Sequence, residues 1–479
     1  MLSSASVTTA RQPAALPILG LAEIGDRFGY YALISVFVLY LTDIHRIDES
    51  HAFLIFGVFM SLASLATLAG GFAADHLFGF GRSIIFGAVL LIAGFAALAV
   101  AGADETLFAA LALIAVGNGL TTANMPALLG QFYDDQDQHR AAGFTYLYMA
   151  INVGAFLGMI AMGLVAARYG YGAAFAMVAG VKLLGLAVYL AGRPWLRAHD
   201  GPPAATPTRR WQSLGLLALL LIAVATAVLL AHPADTSGIL LLVAGIALGA
   251  CLVALARGDR DVRSRLAVLL ILVVAAVVFW AIYRQFAASV LVFTQIDVNR
   301  TLLDWKVPAS DLSALNPAFV LVVGPLAAWL WPWLARRRIK VDDYRKFALG
   351  LIFTGLSFAL LSLGVFTTTA GAPTILLWIA LFQLILATGE ICLSPVGLAL
   401  TSKLAPPGLA GSAMGIWYLS TAFAFYLSGV IAQPLATQDG TPAPEGVYGL
   451  GFAAYGAAGL ATGVIFALLI PRLRRLAPD

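Results

Sequence analysis

Two acids, a guanidinium and two phenols lie within nine residues of one apolar stretch, Glu23-Ile24-Gly25-Asp26-Arg27-Phe28-Gly29-Tyr30-Tyr31. Helical spacing puts Glu23, Arg27 and Tyr30 on one stripe, with Asp26 beside it. Two chemistries fit: an internal Glu23 to Arg27 ion pair that neutralises itself, or ionisable groups lining a cavity. The additional acid and the two phenols favour the cavity. Glu390 stands in Thr388-Gly389-Glu390-Ile391-Cys392-Leu393-Ser394-Pro395, with Ser394 one turn on and Pro395 interrupting the backbone ladder. No basic partner is available within that helix. The carboxyl is therefore either a neutral structural acid, or a group that exchanges a proton or meets an ammonium. Arg284, in Phe279-Trp280-Ala281-Ile282-Tyr283-Arg284, cannot shed its charge and needs carboxylates or carbonyls around it. Glu390 or the helix-one acids could serve. Lys182 has a long stem that can reach an interface, and it is given no functional role.

These side chains must be held by helices that live in lipid. Of 479 residues, 61% are hydrophobic and only 11% charged, which excludes a water-soluble enzyme. The mean hydropathy of +0.92 points the same way. A crossing needs about 20 predominantly apolar residues. Fourteen such runs are expected, near 16-42, 52-74, 83-103, 106-132, 142-166, 171-192, 213-231, 238-256, 266-295, 311-335, 346-368, 373-400, 409-432 and 446-470. A charge at the bilayer centre costs about 2.5–3.5 kcal/mol on insertion scales, so each charge inside these runs is a candidate for function. Cys251 and Cys392 both fall in apolar runs and offer neither a disulfide framework nor a zinc site. None of the six histidines falls near mid-membrane, and GNG at 117–119 sits in an apolar helix without a preceding strand, so close helix packing is its reading.

Basic residues fix the orientation. With the amino terminus inside, 21 of the 28 Lys and Arg fall in loops on that side, four on the other, and Arg27, Lys182 and Arg284 within helices. That asymmetry places both termini in the cytoplasm. The net charge of +4 therefore reflects topology and implies no nucleic-acid partner. The pair of runs between 213 and 256 contains no ionisable residue in its apolar core and is flanked by basic linkers rich in Pro and Gly, so it reads as a lipid-facing addition. The expected organisation is an amino-terminal six-helix bundle (1–195), a linker with two inserted helices (196–264) and a carboxy-terminal six-helix bundle (265–479), with the site between the halves.

Several segments together resemble the proton-dependent oligopeptide transporters of the major facilitator superfamily. The helix-one run at 23–31 is similar to that family's E-x-x-E-R-F-x-Y-Y motif. GGFAADHLFGFGR (70–82), GFTYLYMAINVGAF (143–156), FWAIYRQFAAS (279–289), LNPAF (315–319), GEICLSPVGL (389–398) and MGIWYL (414–419) resemble its other signatures, and an inserted helix pair is typical of bacterial members. The resemblance implies an all-α membrane protein of major facilitator fold, with fourteen helices, that imports di- and tripeptides or peptide-like zwitterions with protons by alternating access. It implies a multi-pass monomer in a bacterial inner membrane, not an enzyme, with the proton as coupling ion and no cofactor. Arg27, Tyr30, Asn152, Asn316 and Trp417 would line the peptide pocket, Glu390 would meet the peptide's amino end, and Tyr31, Arg284 and Ser394 would complete the set. Glu23, Asp26, Arg27 and Glu390 would serve proton coupling.

Four positions depart from the family pattern. Its helix-four lysine is replaced in Thr122-Ala123-Asn124, its helix-seven acid by Arg284, the second helix-one acid is Asp26 where Glu is usual, and a helix-two tyrosine appears as Ser64. A cation has been lost on one half and gained on the other. Either Arg284 takes over the lysine's carboxylate-facing role, pairing with Glu390 or the helix-one acids between turnovers, or selectivity and coupling have changed. The alternative function is transport of another small amphoteric or anionic solute, with altered or no proton coupling.

Overall fold

A computed structural model describes residues 12–100, 104–133, 139–196, 209–257, 259–302, 304–339, 341–368, 374–404, 410–436 and 446–476. Its helices are α1 (Ala15–Asp43), α2 (Glu49–Ala73), α3 (Phe80–Val100), α4 (Asp104–Thr122), α5 (Asn124–Gly130), α6 (Arg140–Leu196), α7 (Arg209–Ala231) and α8 (Pro233–Arg257). They continue with α9 (Arg260–Tyr283), α10 (Ser289–Asp297), α11 (Ala309–Ser313), α12 (Leu315–Arg336), α13 (Asp343–Thr367), α14 (Leu376–Leu404), α15 (Ala410–Ala432) and α16 (Val447–Leu476). Strand structure among the described residues is confined to two-residue pairings: Val298–Asn299 parallel to Thr374–Ile375, and Thr301–Leu302 antiparallel to Trp305–Lys306.

Among the described residues, twelve helices are long and apolar enough to cross a bilayer, against the fourteen expected. The runs expected at 142-166 and 171-192 form one stretch, Ala142–Leu196, in which only Gly170 leaves helical geometry, at φ 84° and ψ 167°. Glycine reaches that conformation without the Cβ clash that bars other residues. At 1.5 Å per residue the stretch is roughly 80 Å long, more than twice an apolar core of ~30 Å, so the break at Gly170 divides it into two arms of crossing length. The second inserted run lies in α8, whose apolar part Pro233–Ile246 is shorter than the twelve and stands outside that count.

Three helix starts are fixed by their sequence. Asp48, Asp259 and Asp342 cap α2, α9 and α13, accepting from the backbone N–H three residues on at 3.0, 2.9 and 2.9 Å. Asp342 also pairs with Arg474, which ties the start of α13 to the end of α16.

Helix α1 lies along α6, and α4 sits between α2 and α3; in the second half of the chain α13 packs on α14 and α16, and α9 on α15 and α16. Contacts between these groups run through α2 with α15 and through α6 with α11 and α12. At Gly57 the α2 and α15 backbones touch: a Cβ there would stand 2.8 Å from the Tyr426 carbonyl and 2.9 Å from Gly429 Cα. Gln433 closes the same end by donating to the Ser50 carbonyl at 3.4 Å and to its hydroxyl at 3.3 Å. Leu220, Leu221, Leu241, Leu242 and Ile246 of α7 and α8 are exposed, as expected of a lipid-facing pair.

Candidate functional site

Helix α1 buries its charged stripe against α6. Glu23, Asp26 and Arg27 are all buried. Arg27 Nε donates to Glu23 Oε1 at 2.6 Å, and its Nη2 lies 3.5 Å from Asp26 Oδ2. The fourth member is one the sequence reading set aside. Lys182 does not reach an interface: it is 4% exposed, with Nζ 2.9 Å from Asp26 Oδ1 and 2.6 Å from the Asp26 carbonyl oxygen. Two acids and two bases thus form one neutral cluster, which is how four charges can be carried where water is scarce. The signal was present in the sequence, since an intramembrane lysine and the helix-one acids each need a counter-charge. Their separation of 156 residues hid the match.

Tyr30, one turn along from Arg27, donates to Met60 Sδ at 3.7 Å and stacks edge-on with Tyr31 at 5.4 Å. Asn152 is buried on α6 and donates to the Tyr148 carbonyl at 2.9 Å. Its neighbour Gly154 lets α6 seat directly on α1, since a Cβ there would stand 3.0 Å from Arg27 Cβ.

The opposing pole is built where α9 ends. The run expected as one helix at 266-295 breaks into a 3-10 turn at Arg284–Ala287 before α10 begins, with Ala288 at φ −117° and ψ −104°. The turn places Tyr283 and Arg284 side by side against α1. Tyr283, which the sequence reading did not single out, is the hub. Its hydroxyl stands 2.6 Å from Glu390 Oε2 and 3.0 Å from Asn316 Oδ1. One hydroxyl proton cannot serve two acceptors at once. Either Glu390 carries a proton of its own, or Asn316 turns its amide nitrogen toward the phenol.

Arg284 does not make the pairing expected of it. Among the described residues no carboxylate forms an ion pair with it. Its guanidinium instead lies over Phe425, 4.2 Å from the ring centroid, and its buried Nε has no hydrogen-bond partner. The buried Nδ2 of Asn316 and Nε1 of Trp280 are likewise without partners, and Trp280 packs edge-on against both Tyr283 and Phe425. Three donors lacking acceptors therefore surround one aromatic cluster.

The remaining expected residues lie on the same helices but further from the hub. Ser394 is half-buried one turn beyond Glu390. Trp417 is buried with its ring against Gly397, two turns beyond Glu390 along α14. Helix α1, which carries Tyr31 beside Tyr30, touches the 3-10 turn that begins at Arg284, so the two charged sets stand on neighbouring elements. The arrangement offers a cation and an acid on facing surfaces, which suits a ligand with poles of both signs.

The family model described as the POT family (PTR2) matches residues 81–448. The chain is 31% identical to the uncharacterized transporter YclF of Bacillus subtilis, over 97% of this chain and 94% of that protein. It is 30% identical to dipeptide and tripeptide permease A of Klebsiella pneumoniae, over 99% of this chain and 95% of the permease. Among solved structures, the peptide transporter POT in complex with sulfate superposes with a TM-score of 0.85 at 29% identity, covering 97% of this chain and 96% of the other. A mutant of that transporter in complex with alafosfalin gives a TM-score of 0.86 at 30% identity, covering 98% and 96%.

Proposed function

The chain belongs to the POT family, and from that premise we propose that it is a proton-coupled symporter importing di- and tripeptides or peptide-like zwitterions by alternating access. The observation that carries the reading is a charged set on each of two contacting elements: Arg27 within its acidic cluster on α1, and the Glu390, Tyr283 and Asn316 network beside Arg284. Arg27, Tyr30, Tyr31, Asn152, Arg284, Asn316, Ser394 and Trp417 contribute to the substrate pocket, and Glu390 receives the peptide ammonium. Glu23, Asp26, Arg27 and Glu390 exchange the coupling proton. Protonation of a carboxylate removes the partner of a buried cation, which lowers the cost of leaving one closed arrangement for the other.

The bundles at 1–195 and 265–479 are the two moving bodies, and the segment at 196–264, with its exposed leucines, faces lipid. The distribution of Lys and Arg supports cytoplasmic termini and a place in a bacterial inner membrane, so the Gly57 to Gly429 contact closes the outer end. The transporter works as a monomer.

A counterflow panel tests the substrate class. Proteoliposomes loaded with a dipeptide should take up labelled dipeptide, and unlabelled di- and tripeptides should compete better than single amino acids. Competition by amino acids or organic anions alone would refute the peptide reading. The unpaired guanidinium of Arg284 favours a second reading within the same site, a small solute bearing an anionic group additional to its carboxy terminus.

A further inference from the structure

A cavity lies between the two halves of the chain, at the end where α1 stops and the α2 to α15 contact is made. It measures about 350 Å³, within the range of roughly 300–1,000 Å³ of small-molecule sites, and it takes no part in the network around Tyr283. One wall carries Asp43 at the end of α1 and Tyr171 of α6; the other carries Arg300 and Lys306 in the link from α10 to α11. Asp43 and Lys306 are exposed, so the cavity opens to water. Tyr171 follows the break at Gly170, packs edge-on against Tyr40 at 5.4 Å, and its hydroxyl donates to Asp43 Oδ2 at 3.2 Å. Opposite, the link folds into the pairing of Thr301–Leu302 with Trp305–Lys306, and Arg300 ties its base: Nη1 donates to the Val307 carbonyl at 2.8 Å and Nη2 to that of Gln295 at 3.2 Å. Arg300 is 7% exposed and its Nε is buried without a hydrogen-bond partner. Among the described residues no carboxylate pairs with it, although Asp297 and Asp304 flank it in sequence. Burial works against that charge and lowers the pKa of the side chain from the usual arginine value, but a guanidinium keeps its proton. Lys306 adds a second cation with no ion pair among the described residues. The partner this wall lacks is a carboxylate, and the acid on the other wall suits an ammonium.

At the edge of the cavity the two halves touch. Gly163 of α6 and Ser310 of α11 both border it, and a Cβ at Gly163 would overlap Ser310 and Asp311. The two walls therefore keep their spacing only while α6 and α11 stay in contact. We infer that this cavity is a second binding site, for a small zwitterion of peptide size, with its carboxylate on Arg300 and Lys306 and its ammonium on Asp43, and that filling it latches the outer end closed. A ligand that binds one arrangement better than another shifts the population toward it by that difference in affinity. The solute thus slows its own entry once the cavity fills. The inference rests on the peptide-import reading above, which supplies the solute and makes this end the outer one.

Equilibrium dialysis of a labelled dipeptide against purified protein counts the sites, and initial uptake of the same dipeptide by cells producing the protein reads the latch. The proteins are the parent, Asp43→Asn, Lys306→Met and Glu390→Gln; Arg300 is kept, because its contacts to the Gln295 and Val307 carbonyls hold the link. The expected result is two sites in each parent chain. One should weaken by about tenfold or more in Asp43→Asn and in Lys306→Met, and the other in Glu390→Gln. Parent uptake should rise with outer dipeptide and then fall, whereas Asp43→Asn and Lys306→Met should saturate without a fall and keep KM within about twofold of the parent. A single site in a parent that transports dipeptide overturns the inference, as does a second site or a fall in uptake that persists unchanged in both wall variants. Two sites without a fall in uptake overturn the latch. A parent that neither binds nor transports dipeptide refutes the peptide reading itself, a result distinct from the others.

Discussion

Replacing Arg284 by methionine separates two accounts of the same buried cation. Were Arg284 paired with Glu390, its removal would strand a buried carboxylate and destabilise the protein by about 3–5 kcal/mol. In the structure its charge rests on the Phe425 ring at 4.2 Å and its Nε has no acceptor. A desolvated cation–π contact is worth ~2 kcal/mol, whereas burying an ion costs several kcal/mol, so Arg284→Met should leave stability at or above that of the parent. The consequence appears in binding. A charge-assisted hydrogen bond from the guanidinium to a substrate anion contributes about 1.5–3 kcal/mol, which is roughly 10- to 150-fold in affinity. Unfolding of purified protein in detergent measures the first quantity. Competition of labelled dipeptide counterflow by a dipeptide with a side-chain carboxylate, set against a neutral one, measures the second. The expected outcome is stability at or above that of the parent with a selective loss for the acidic dipeptide. Destabilisation beyond about 3 kcal/mol would show that Arg284 neutralises a carboxylate after all. An equal loss for both dipeptides would refute a role in reading the additional anion.

Tyr283→Phe removes the hydroxyl that bridges Glu390 and Asn316, and should weaken dipeptide binding by about tenfold or more while Tyr30→Phe, whose hydroxyl meets Met60 Sδ, costs less than about threefold. Equal effects in a counterflow titration would remove Tyr283 from the centre of the site. Gly57→Val puts two branches where the α2 and α15 backbones touch, and should hold that end apart. A cysteine introduced as Ser50→Cys should then react with a membrane-impermeant thiol reagent several times faster, by about the five- to tenfold that a 1–1.4 kcal/mol shift between two arrangements gives. Unchanged labelling would mean that this contact does not control access. Asp342→Ala loses both the α13 cap and the Arg474 pair, and should lower stability by about 1–2 kcal/mol in unfolding measurements without altering counterflow.

What could be seen in the sequence follows from the range of the forces involved. The α1 stripe was legible because Glu23, Arg27 and Tyr30 are one turn apart, and the Glu23 to Arg27 pair forms as i,i+4 spacing requires. Lys182 was misread because its partner is fixed by how α6 lies on α1, which no local pattern encodes. The turn at Arg284–Ala287 was invisible for a related reason: Tyr-Arg-Gln-Phe-Ala-Ala contains no Gly or Pro, and the contacts of Tyr283 with Glu390 and of Arg284 with Phe425 that accompany it are long-range. The break at Gly170 falls between the runs expected at 142-166 and 171-192, so the division into two arms was legible, whereas the near-continuous helix on either side of that one residue was not. Composition and the basic loops gave the class of fold, whereas the pairing of charges had to wait for tertiary geometry. Arg284 shows the limit most plainly, since its guanidinium lies over an aromatic face where its charge calls for carboxylates or carbonyls.

The acids of this site are proposed to couple solute movement to protons. The most direct measurement of that coupling is uptake of a labelled dipeptide into proteoliposomes under an inward pH gradient, with Glu390→Gln beside the parent. The account predicts gradient-stimulated accumulation above equilibrium in the parent and its loss in Glu390→Gln with exchange retained in weakened form. Uptake by the parent that only equilibrates, or accumulation unaffected by Glu390→Gln, would contradict it.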